Sequence, residues 1–323
     1  MRFSNEWSDG RIKSIKQVGE TVRQFEIDIP AEVSFSAGSH INVEVYVKGH
    51  PEIRSYSLVG KPRRSSVLKI AVKLLPESKG GSAYMWTLEE GQKIRVSQPK
   101  NHFELTYGSS EYVLLAGGIG ITPMVSMAEE LLAKGENFRF VYAAQKRSDM
   151  PFSEYLKTLL GDRLQLFVQD QHGLVDIPAL VNSMKKGSQL YVCGPMGMLE
   201  AAKLAWYQSA LTAEDLRYET FGTTGLYPTV AFKVNLPRFN KTIEVSANQT
   251  LLDALEEEGI EVMYDCKRGE CGLCQVDILK HSGTIDHRDA FFSSEERAFD
   301  KKLCACVSRV FDGELTLDTS YRG

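Results

Sequence analysis

Three cysteines near the carboxyl end constrain the fold of this chain more than any other feature of its sequence. Cys266, Cys271 and Cys274 follow a C-x4-C-x2-C spacing and lie within nine residues. A loop of this spacing lets three thiolates converge on a metal site from one stretch of backbone. Gly269 and Gly272 let that backbone fold inward and point N–H groups at the sulfurs. The spacing therefore predicts a metal centre in the last third of the chain.

Two more cysteines, Cys304 and Cys306, are candidates for a fourth ligand. A distant cysteine after C-x4-C-x2-C completes the plant-type [2Fe–2S] spacing. Structural zinc sites usually pair two C-x2-C units, and this chain has one, so iron–sulfur is favoured over zinc. Both candidates are expected on the same side of an extended segment, so spacing does not choose between them.

The first hundred residues have the pattern of an antiparallel β-barrel. Apolar and polar residues alternate through 25–29, 41–47 and 68–74, as they do in half-buried strands. Glycine and proline separate these segments, and several such strands at this spacing predict a small barrel. We assign residues 1–105 to this domain.

Residues 106–227 change to a pattern of alternating strands and helices. Apolar runs at 112–116, 138–144, 164–168 and 189–193 alternate with segments of helical periodicity. This alternation predicts βαβ units, which form an α/β domain with a parallel sheet.

Residues 228–323 form the third predicted domain, which follows a linker at 222–228. Strands are predicted at 229–235 and 241–246, followed by a short helix near 251–257 and the cysteine loop. Residues 229–323 hold 12 lysines and arginines against 17 aspartates and glutamates, a net charge of −5. Such a balance is typical of a solvated surface, or of a module that finds a protein partner by charge.

The charge and hydrophobicity of the sequence exclude nucleic acids and membranes as partners. No region is basic enough for nucleic acid. No apolar run is long enough to span a bilayer, and the first residues lack a basic segment followed by an apolar one. We therefore expect a cytoplasmic protein without a membrane partner, in which six cysteines are not a disulfide framework.

Two elements of the α/β domain predict a dinucleotide site. In the first, a glycine turn, Thr122 suits a helix N-cap and Pro123 the first helical position, so pyrophosphate would meet the positive end of the helix dipole. The second follows the strand that ends at Cys193, and both lie where ligands bind in open α/β sheets. A packing turn and a buried structural thiol are the alternatives. The elements comprise Gly117, Gly118, Ile119, Gly120, Ile121, Thr122 and Pro123, and Cys193, Gly194, Pro195 and Met196.

The strand segment Arg54, Ser55, Tyr56 and Ser57 combines residue types that suit a flavin. Arginine offers a fork for phosphate, tyrosine a face for stacking and serine a hydroxyl for the ring. Strand alternation places Arg54 and Tyr56 on one face and Ser57 on the other. The alternative is an ordinary half-buried strand.

A second segment, Ser78, Lys79, Gly80, Gly81 and Ser82, predicts a nest of backbone N–H groups for a phosphate. Ser82 is the predicted N-cap of the helix that follows. The alternative is a flexible hairpin tip.

Four motifs, in this order, resemble the family of phthalate dioxygenase reductase and vanillate demethylase reductase. They are the Arg-x-Tyr-Ser strand, the Gly-Gly-Ile-Gly-Ile-Thr-Pro turn, the Cys-Gly-Pro-Met segment, and the cysteine loop with its later Cys-Val-Ser-Arg. The resemblance covers nearly the whole chain. It implies a multidomain fold, with an antiparallel β-barrel flavin domain, an α/β parallel-sheet nucleotide domain and an α+β ferredoxin domain of the β-grasp type.

The resemblance also implies roles for individual residues. Ser57 lies near the flavin N5, Cys193 faces the nicotinamide, and Phe221 covers the flavin ring. The cysteine immediately before Val-Ser-Arg binds iron, which selects Cys306 and leaves Cys304 as a small buried residue.

The flavin implied by the resemblance is FMN, because FAD-using relatives commonly carry their ferredoxin domain first. The Gly80–Gly81 loop then corresponds to the segment that closes on the FMN phosphate. This chain departs from its relatives at Leu273, where they often carry threonine or serine, and at Lys79, where they often carry arginine.

The implied function is electron transfer from NADH, through FMN and a [2Fe–2S] cluster, to the terminal component of a Rieske-type oxygenase. Flavin converts a two-electron donor into a source of single electrons. The residues themselves leave NADPH open, because Lys146 and Arg147 could take a 2′-phosphate while Asp149 could hold a ribose hydroxyl. The alternatives are a reductase for another acceptor, such as a haem monooxygenase, and a zinc-stapled or redox-sensing binding protein.

Overall fold

The chain folds into two compact units, which are divided between Glu219 and Thr220. The structure, a computed structural model, describes residues 7–75, 80–221, 227–247 and 249–319. Within those ranges, no helix is both long and apolar enough to cross a membrane.

The first unit begins with the predicted antiparallel barrel. Its strands pair in the order β4-β3-β6-β1-β2-β5, and a bridge between Leu58 and Ile70 brings the two edges of the sheet together. The alternating residues Phe25, Ile41 and Leu68 point inward and are fully buried, as the sequence pattern predicts. The elements are β1 (Trp7–Gly19), β2 (Val22–Phe35), β3 (His40–Val47), β4 (His50–Ser57), β5 (Arg63–Lys73), α1 (Gly81–Thr87) and β6 (Lys93–Ser97).

The same unit continues with a parallel five-stranded sheet, in the order β11-β10-β7-β8-β9. Strand β7 has β10 on one side and β8 on the other, so the strand order reverses at β7. The carboxyl ends of β7 and β10 therefore border the crevice in which such sheets bind ligands. The elements are β7 (Glu111–Gly117), α2 (Ile121–Ala133), β8 (Phe138–Ala144), α3 (Ser153–Leu160), β9 (Leu164–Val168), α4 (Gln169–His172), α5 (Ile177–Asn182), β10 (Ser188–Cys193), α6 (Met196–Tyr207) and β11 (Leu216–Glu219).

The second unit is a mixed α+β domain, as the resemblance implies. Its main sheet has the order β13-β12-β18-β14-β16, with β12 and β18 parallel and the other pairs antiparallel. Helix α7 occupies the predicted residues, and its N-cap Thr250 accepts a hydrogen bond from the Asp253 amide. The elements are β12 (Phe232–Leu236), β13 (Lys241–Val245), α7 (Leu251–Glu257), β14 (Gln275–His281), β15 (Thr284–Asp286), α8 (Ser294–Ala298), β16 (Lys302–Cys304), β17 (Arg309–Phe311) and β18 (Glu314–Asp318).

Both helix N-caps predicted from the sequence are wrong. The glycine turn continues as a 3-10 turn over Gly118–Gly120, so α2 begins before Thr122, whose hydroxyl donates instead to the Ile119 carbonyl. Helix α1 likewise begins one residue before Ser82, after a glycine in the left-handed conformation, and the Ser82 hydroxyl accepts a hydrogen bond from the Leu75 amide. In both cases glycine supplies the turn that a polar side chain was expected to cap.

A charged cluster behind the cysteine loop predicts pH-dependent stability. The His287 imidazole lies 3.0 Å from an Asp300 oxygen and 3.7 Å from an oxygen of the fully buried Asp289. Burial disfavours the imidazolium, but the two carboxylates outweigh burial and raise the pKa of His287. The pKa of Asp289 is lowered, because its charge partners and hydrogen bonds outweigh its burial.

The signs of these shifts define the pH window of the effect. The stability from His287 is fully present below its unfolded-state pKa of about 6.5 and is lost as pH rises through the higher folded value. The stability from Asp289 is lost as pH falls through its lowered folded pKa. We expect His287→Gln to lower the thermal unfolding midpoint by roughly 2–4 °C at pH 6, and by less at pH 9. An equal decrease at both pH values would contradict the role of the charge.

Candidate functional site

Arg54 and Gly81 meet at one edge of the barrel. Arg54 and Tyr56 in β4 pair with the buried Val43 and Ile41 in β3, so they share the face predicted from alternation. A Cβ atom on Gly81 would lie 2.6 Å from Arg54 Nε, so only glycine leaves room for the guanidinium in this place. A guanidinium beside the backbone that starts a helix is suited to a phosphate.

The other residues of the predicted flavin segments surround this edge. Arg54 Nη2 lies 2.6 Å from Glu52 Oε2, and the Ser55 hydroxyl donates to Asn42 Oδ1 at 2.7 Å. Burial raises the pKa of Tyr56 to about 12, so its phenol is neutral at physiological pH. Gly80 has a φ of 105° at the start of α1. The predicted Ser78 and Lys79 lie outside the described residues.

Ser57 lies on the opposite face of β4 and contacts a residue of the α/β sheet. Its buried hydroxyl is 3.5 Å from Glu219 Oε2, and Glu219, at the end of β11, is only 1% exposed. Cys193, fully buried at the end of β10, pairs in register with Glu219. Ser57, Cys193 and Glu219 therefore converge where the barrel meets the carboxyl edge of the sheet. Phe221, the predicted ring cover, lies in the second unit and is 41% exposed.

Glu219 belongs to this site although no role was predicted for it from the sequence. Its position at the carboxyl end of a parallel strand could have indicated a role, because functional groups collect at that edge. Its partner Ser57 lies 162 residues away in the sequence, so no local pattern connects them.

The glycine turn and the Cys193 segment are packed closely against each other. A Cβ atom on Gly120 would overlap the Cys193 carbonyl, and one on Gly117 would lie 2.5 Å from Pro195 Cδ. The two predicted nicotinamide elements are therefore adjacent, and their backbones pack directly against each other. Pro195 precedes α6, whose first residue is Met196, so this helix also begins at the same edge.

The cysteine loop has the shape predicted from its glycines. Cys266 Sγ accepts hydrogen bonds from the backbone amides of Arg268 and Glu270, each at 3.4 Å. Gly269 has a φ of 73°, a left-handed conformation that turns the backbone inward. Backbone amides aimed at a sulfur stabilise a thiolate and tune a cluster that the sulfur binds.

The cysteines of this domain fall into two neighbouring groups. The Cys266 thiol interacts with that of Cys271. Cys274 Sγ lies 3.2 Å from Cys306 Sγ. Hydrogen bonds from Cys304 and Cys306 lower the pKa of Cys274 to about 3, which favours its thiolate. Cys266 and Cys271 on one side, and Cys274 with one of Cys304 and Cys306 on the other, would supply the four thiolates of a two-iron cluster.

The segment that carries Cys304 and Cys306 is not extended, contrary to the prediction. Strand β16 ends at Cys304, and residues 305–307 form a turn in which the Ser308 amide donates to the Cys304 carbonyl. Both thiols are buried in the same apolar core and both interact with Cys274, but Cys306 also interacts with Cys266. The two thiols therefore differ in their relation to the first group of cysteines.

These sites define a class of protein: a nicotinamide-dependent oxidoreductase that holds a flavin and an iron–sulfur cluster. Family models match successive parts of the chain. An oxidoreductase FAD-binding domain covers residues 9–105, an oxidoreductase NAD-binding domain covers 114–204, and a 2Fe-2S iron-sulfur cluster binding domain covers 234–311.

Similar proteins agree with this class over nearly the full length. The chain is 33% identical to the heme-dependent oxidative N-demethylase beta subunit of Ectopseudomonas mendocina, over 96% of this chain and 98% of the relative. It is also 33% identical to vanillate O-demethylase oxidoreductase of Pseudomonas putida, over 88% and 90%. The solved structure of phthalate dioxygenase reductase matches 97% of this chain and 98% of its own, with 28% identity and a TM-score of 0.79.

The chain therefore belongs to the family of flavin- and [2Fe–2S]-dependent reductases that includes phthalate dioxygenase reductase and vanillate O-demethylase oxidoreductase. The predicted family, fold class and electron-transfer activity are confirmed. The zinc-stapled alternative is wrong, because the cysteine domain matches the 2Fe-2S family.

Proposed function

We propose that this chain is the reductase component of a Rieske-type oxygenase or demethylase, and that it passes electrons from NADH through FMN and the [2Fe–2S] cluster to the terminal oxygenase. The observation that carries the proposal is that one chain combines domains matching flavin-binding, nicotinamide-binding and 2Fe-2S families, the last with a three-cysteine loop next to Cys306. The relative named vanillate O-demethylase oxidoreductase supports the class of acceptor.

Each cofactor has a set of residues that would hold it. The close fit of Gly81 against Arg54 supports the phosphate of FMN at that edge, with Tyr56 offering its ring. The close packing of Gly120 against Cys193, which brings the glycine turn and the Cys193 segment to one edge of the sheet, supports the binding of NADH at that edge. The proposed binding residues are Arg54, Ser55, Tyr56, Ser57, Gly80, Gly81 and Ser82 for FMN, and Gly117, Gly118, Ile119, Gly120, Thr122, Pro123, Cys193, Gly194, Pro195 and Met196 for NADH.

The proposed cluster ligands are Cys266, Cys271, Cys274 and Cys306. Cys306 is supported over Cys304 because it interacts with Cys266 as well as with Cys274, whereas Cys304 interacts with Cys274 but not with Cys266. When bound, the flavin and the cluster together convert a hydride donor into a source of single electrons.

The protein residues near the reacting rings orient the cofactors and exclude water. They do not react covalently. Ser57 and Glu219 fix a buried hydroxyl at the barrel edge, while Cys193 closes the same edge from the sheet. Phe221 is proposed as the aromatic cover of the flavin ring. These three, Ser57, Cys193 and Phe221, are the proposed catalytic positions, and Glu219 is the residue that orients Ser57.

The proposal also includes three domains, with boundaries after residues 105 and 227, and a cytoplasmic location. The matched ranges 9–105, 114–204 and 234–311 each fall inside one proposed domain. The cysteine spacing suits a cluster rather than a disulfide framework, which supports a reducing compartment.

A haem oxygenase is the second candidate acceptor, because one similar protein is named as a subunit of a heme-dependent N-demethylase. Reconstitution with one purified Rieske oxygenase and one purified haem oxygenase separates the two candidates. Faster NADH-driven reduction of the Rieske component supports the proposal, and faster reduction of the haem component supports the second candidate.

An anaerobic titration tests the core of the proposal. The purified chain is expected to show broad visible absorption bands that bleach when NADH is added. Heat-released flavin is expected to elute with FMN on chromatography. Recovery of FAD would overturn the FMN assignment, and a colourless protein that contains zinc would overturn the whole electron-transfer account.

A further inference from the structure

The segment 289–292, which precedes α8, packs directly against the cysteine loop. The backbone amides of Ala290 and Phe291 both donate to the Gly269 carbonyl, at 2.8 and 3.1 Å. A Cβ atom on Gly269 would lie only 2.8 Å from the Cα atom of Asp289. The two backbones are therefore in contact at the first glycine of the loop.

The ring of Phe291 lies against the second glycine of the loop. Gly272 has a φ of 71°, and a Cβ atom at this position would overlap the outer carbons of the Phe291 ring. Gly272 stands between the proposed ligands Cys271 and Cys274. The ring is 37% exposed, so one part of it contacts the loop while another part meets water. Phe291 therefore covers the backbone that carries two of the proposed cluster thiolates.

The neighbours of Phe291 hold its ring in this place. The fully buried Asp289 carboxylate accepts hydrogen bonds from the Phe292 amide at 2.9 Å and from the Ser308 hydroxyl at 3.2 Å. Phe292 is buried in the core, and its ring meets that of Phe291 edge to face, with the ring centroids 5.0 Å apart. Both residues that flank the 290–291 pair are thus anchored, which restricts the positions that the Phe291 ring can take.

We infer that Phe291 is a positioning residue, which shields the cysteine loop at Gly272 from water and slows the loss of iron from the cluster. Solvent access and hydrogen bonds to the sulfurs tune an iron–sulfur site. Water at Gly272 would compete for the backbone N–H groups of the loop, and the ring occupies that approach. The inference rests on the proposed cluster ligands and adds a residue that protects them.

The rate of iron loss from the full-length holoprotein tests the inference without turnover. The protein is incubated with excess EDTA, and the cluster absorption is followed at wavelengths longer than those of the flavin. We expect Phe291→Ala to lose its cluster about tenfold faster, because removal of the ring favours local opening of the loop. The reduction potential of the cluster, measured by an EPR-monitored titration, should rise, because water stabilises the charge added on reduction.

Matched variants separate shielding from a general loss of stability. Phe291→Tyr keeps the ring and should retain both the slow iron loss and the original potential, while Phe291→Leu, which keeps part of the apolar bulk, should lie between Tyr and Ala. Phe239→Ala removes a ring of similar exposure, 39%, from the turn between β12 and β13 and should change the rate by less than about twofold.

Two results would overturn the inference. One is an unchanged rate and potential in Phe291→Ala and Phe291→Leu, and the other is an equal acceleration by Phe239→Ala. Absence of iron from the unaltered protein would instead overturn the proposed cluster ligands.

Discussion

Replacement of Cys306 by serine is expected to abolish the iron–sulfur cluster while the flavin remains bound. A serine hydroxyl is a poor ligand for this soft metal cluster, and the neighbouring thiol of Cys274, 3.2 Å away, is already a proposed ligand and cannot replace the lost one. The EPR signal of the reduced cluster should disappear. NADH-driven reduction of cytochrome c, which needs single electrons from the cluster, should fall by about 100-fold or more. Ferricyanide reduction, which the flavin supports, should persist.

The matched control is Cys304→Ala. Cys304 is fully buried in the apolar core of the second unit, so the smaller side chain should cost about 1 kcal/mol of stability and leave the cluster in place. Each variant removes one of the two thiols that flank Ala305. If the alanine variant lost the cluster and the serine variant kept it, the ligand assignment would have to be exchanged.

The two thiols also show how far the sequence determines the site. The three clustered cysteines were predictable, because their spacing alone brings them into one loop. Spacing did not choose between Cys304 and Cys306, because the prediction assumed an extended segment and the chain instead turns at residues 305–307. A turn of three residues changes which atoms a thiol meets, and residue types alone did not indicate it here.

Elsewhere in the fold, too, local patterns were predictable and contacts between distant segments were not. Alternation predicted the buried faces of β2, β3 and β5, and helical spacing predicted α7 to the residue, because in both cases burial repeats with the local geometry. The N-caps predicted at Thr122 and Ser82 are wrong because the preceding glycines form the turn themselves. The Ser57–Glu219 contact was missed because it exists only once the barrel and the sheet of the first unit are folded.

The proposed flavin site yields the second prediction of large effect. A Cβ atom at position 81 would meet Arg54 at its Nε, Cγ and Cδ, at 2.6, 2.9 and 3.1 Å. These atoms belong to a flexible side chain, so Gly81→Ala should displace the guanidinium rather than unfold the barrel. Loss of a charge-assisted pair with phosphate should weaken FMN binding by roughly 30- to 100-fold, and FMN should be lost on gel filtration.

Two further variants show whether Arg54 transmits this effect. Arg54→Gln should weaken FMN to a similar extent, and the double variant should be no weaker than the stronger single variant, because both remove the same contact. Gly19→Ala, in the same barrel, places a methyl group at an ordinary distance of 3.5 Å from its neighbours and should retain FMN. Additive losses in the double variant would mean that Gly81 binds the flavin independently of Arg54. Full FMN retention by Gly81→Ala would remove the phosphate from this edge, since the guanidinium cannot share that space with a methyl group.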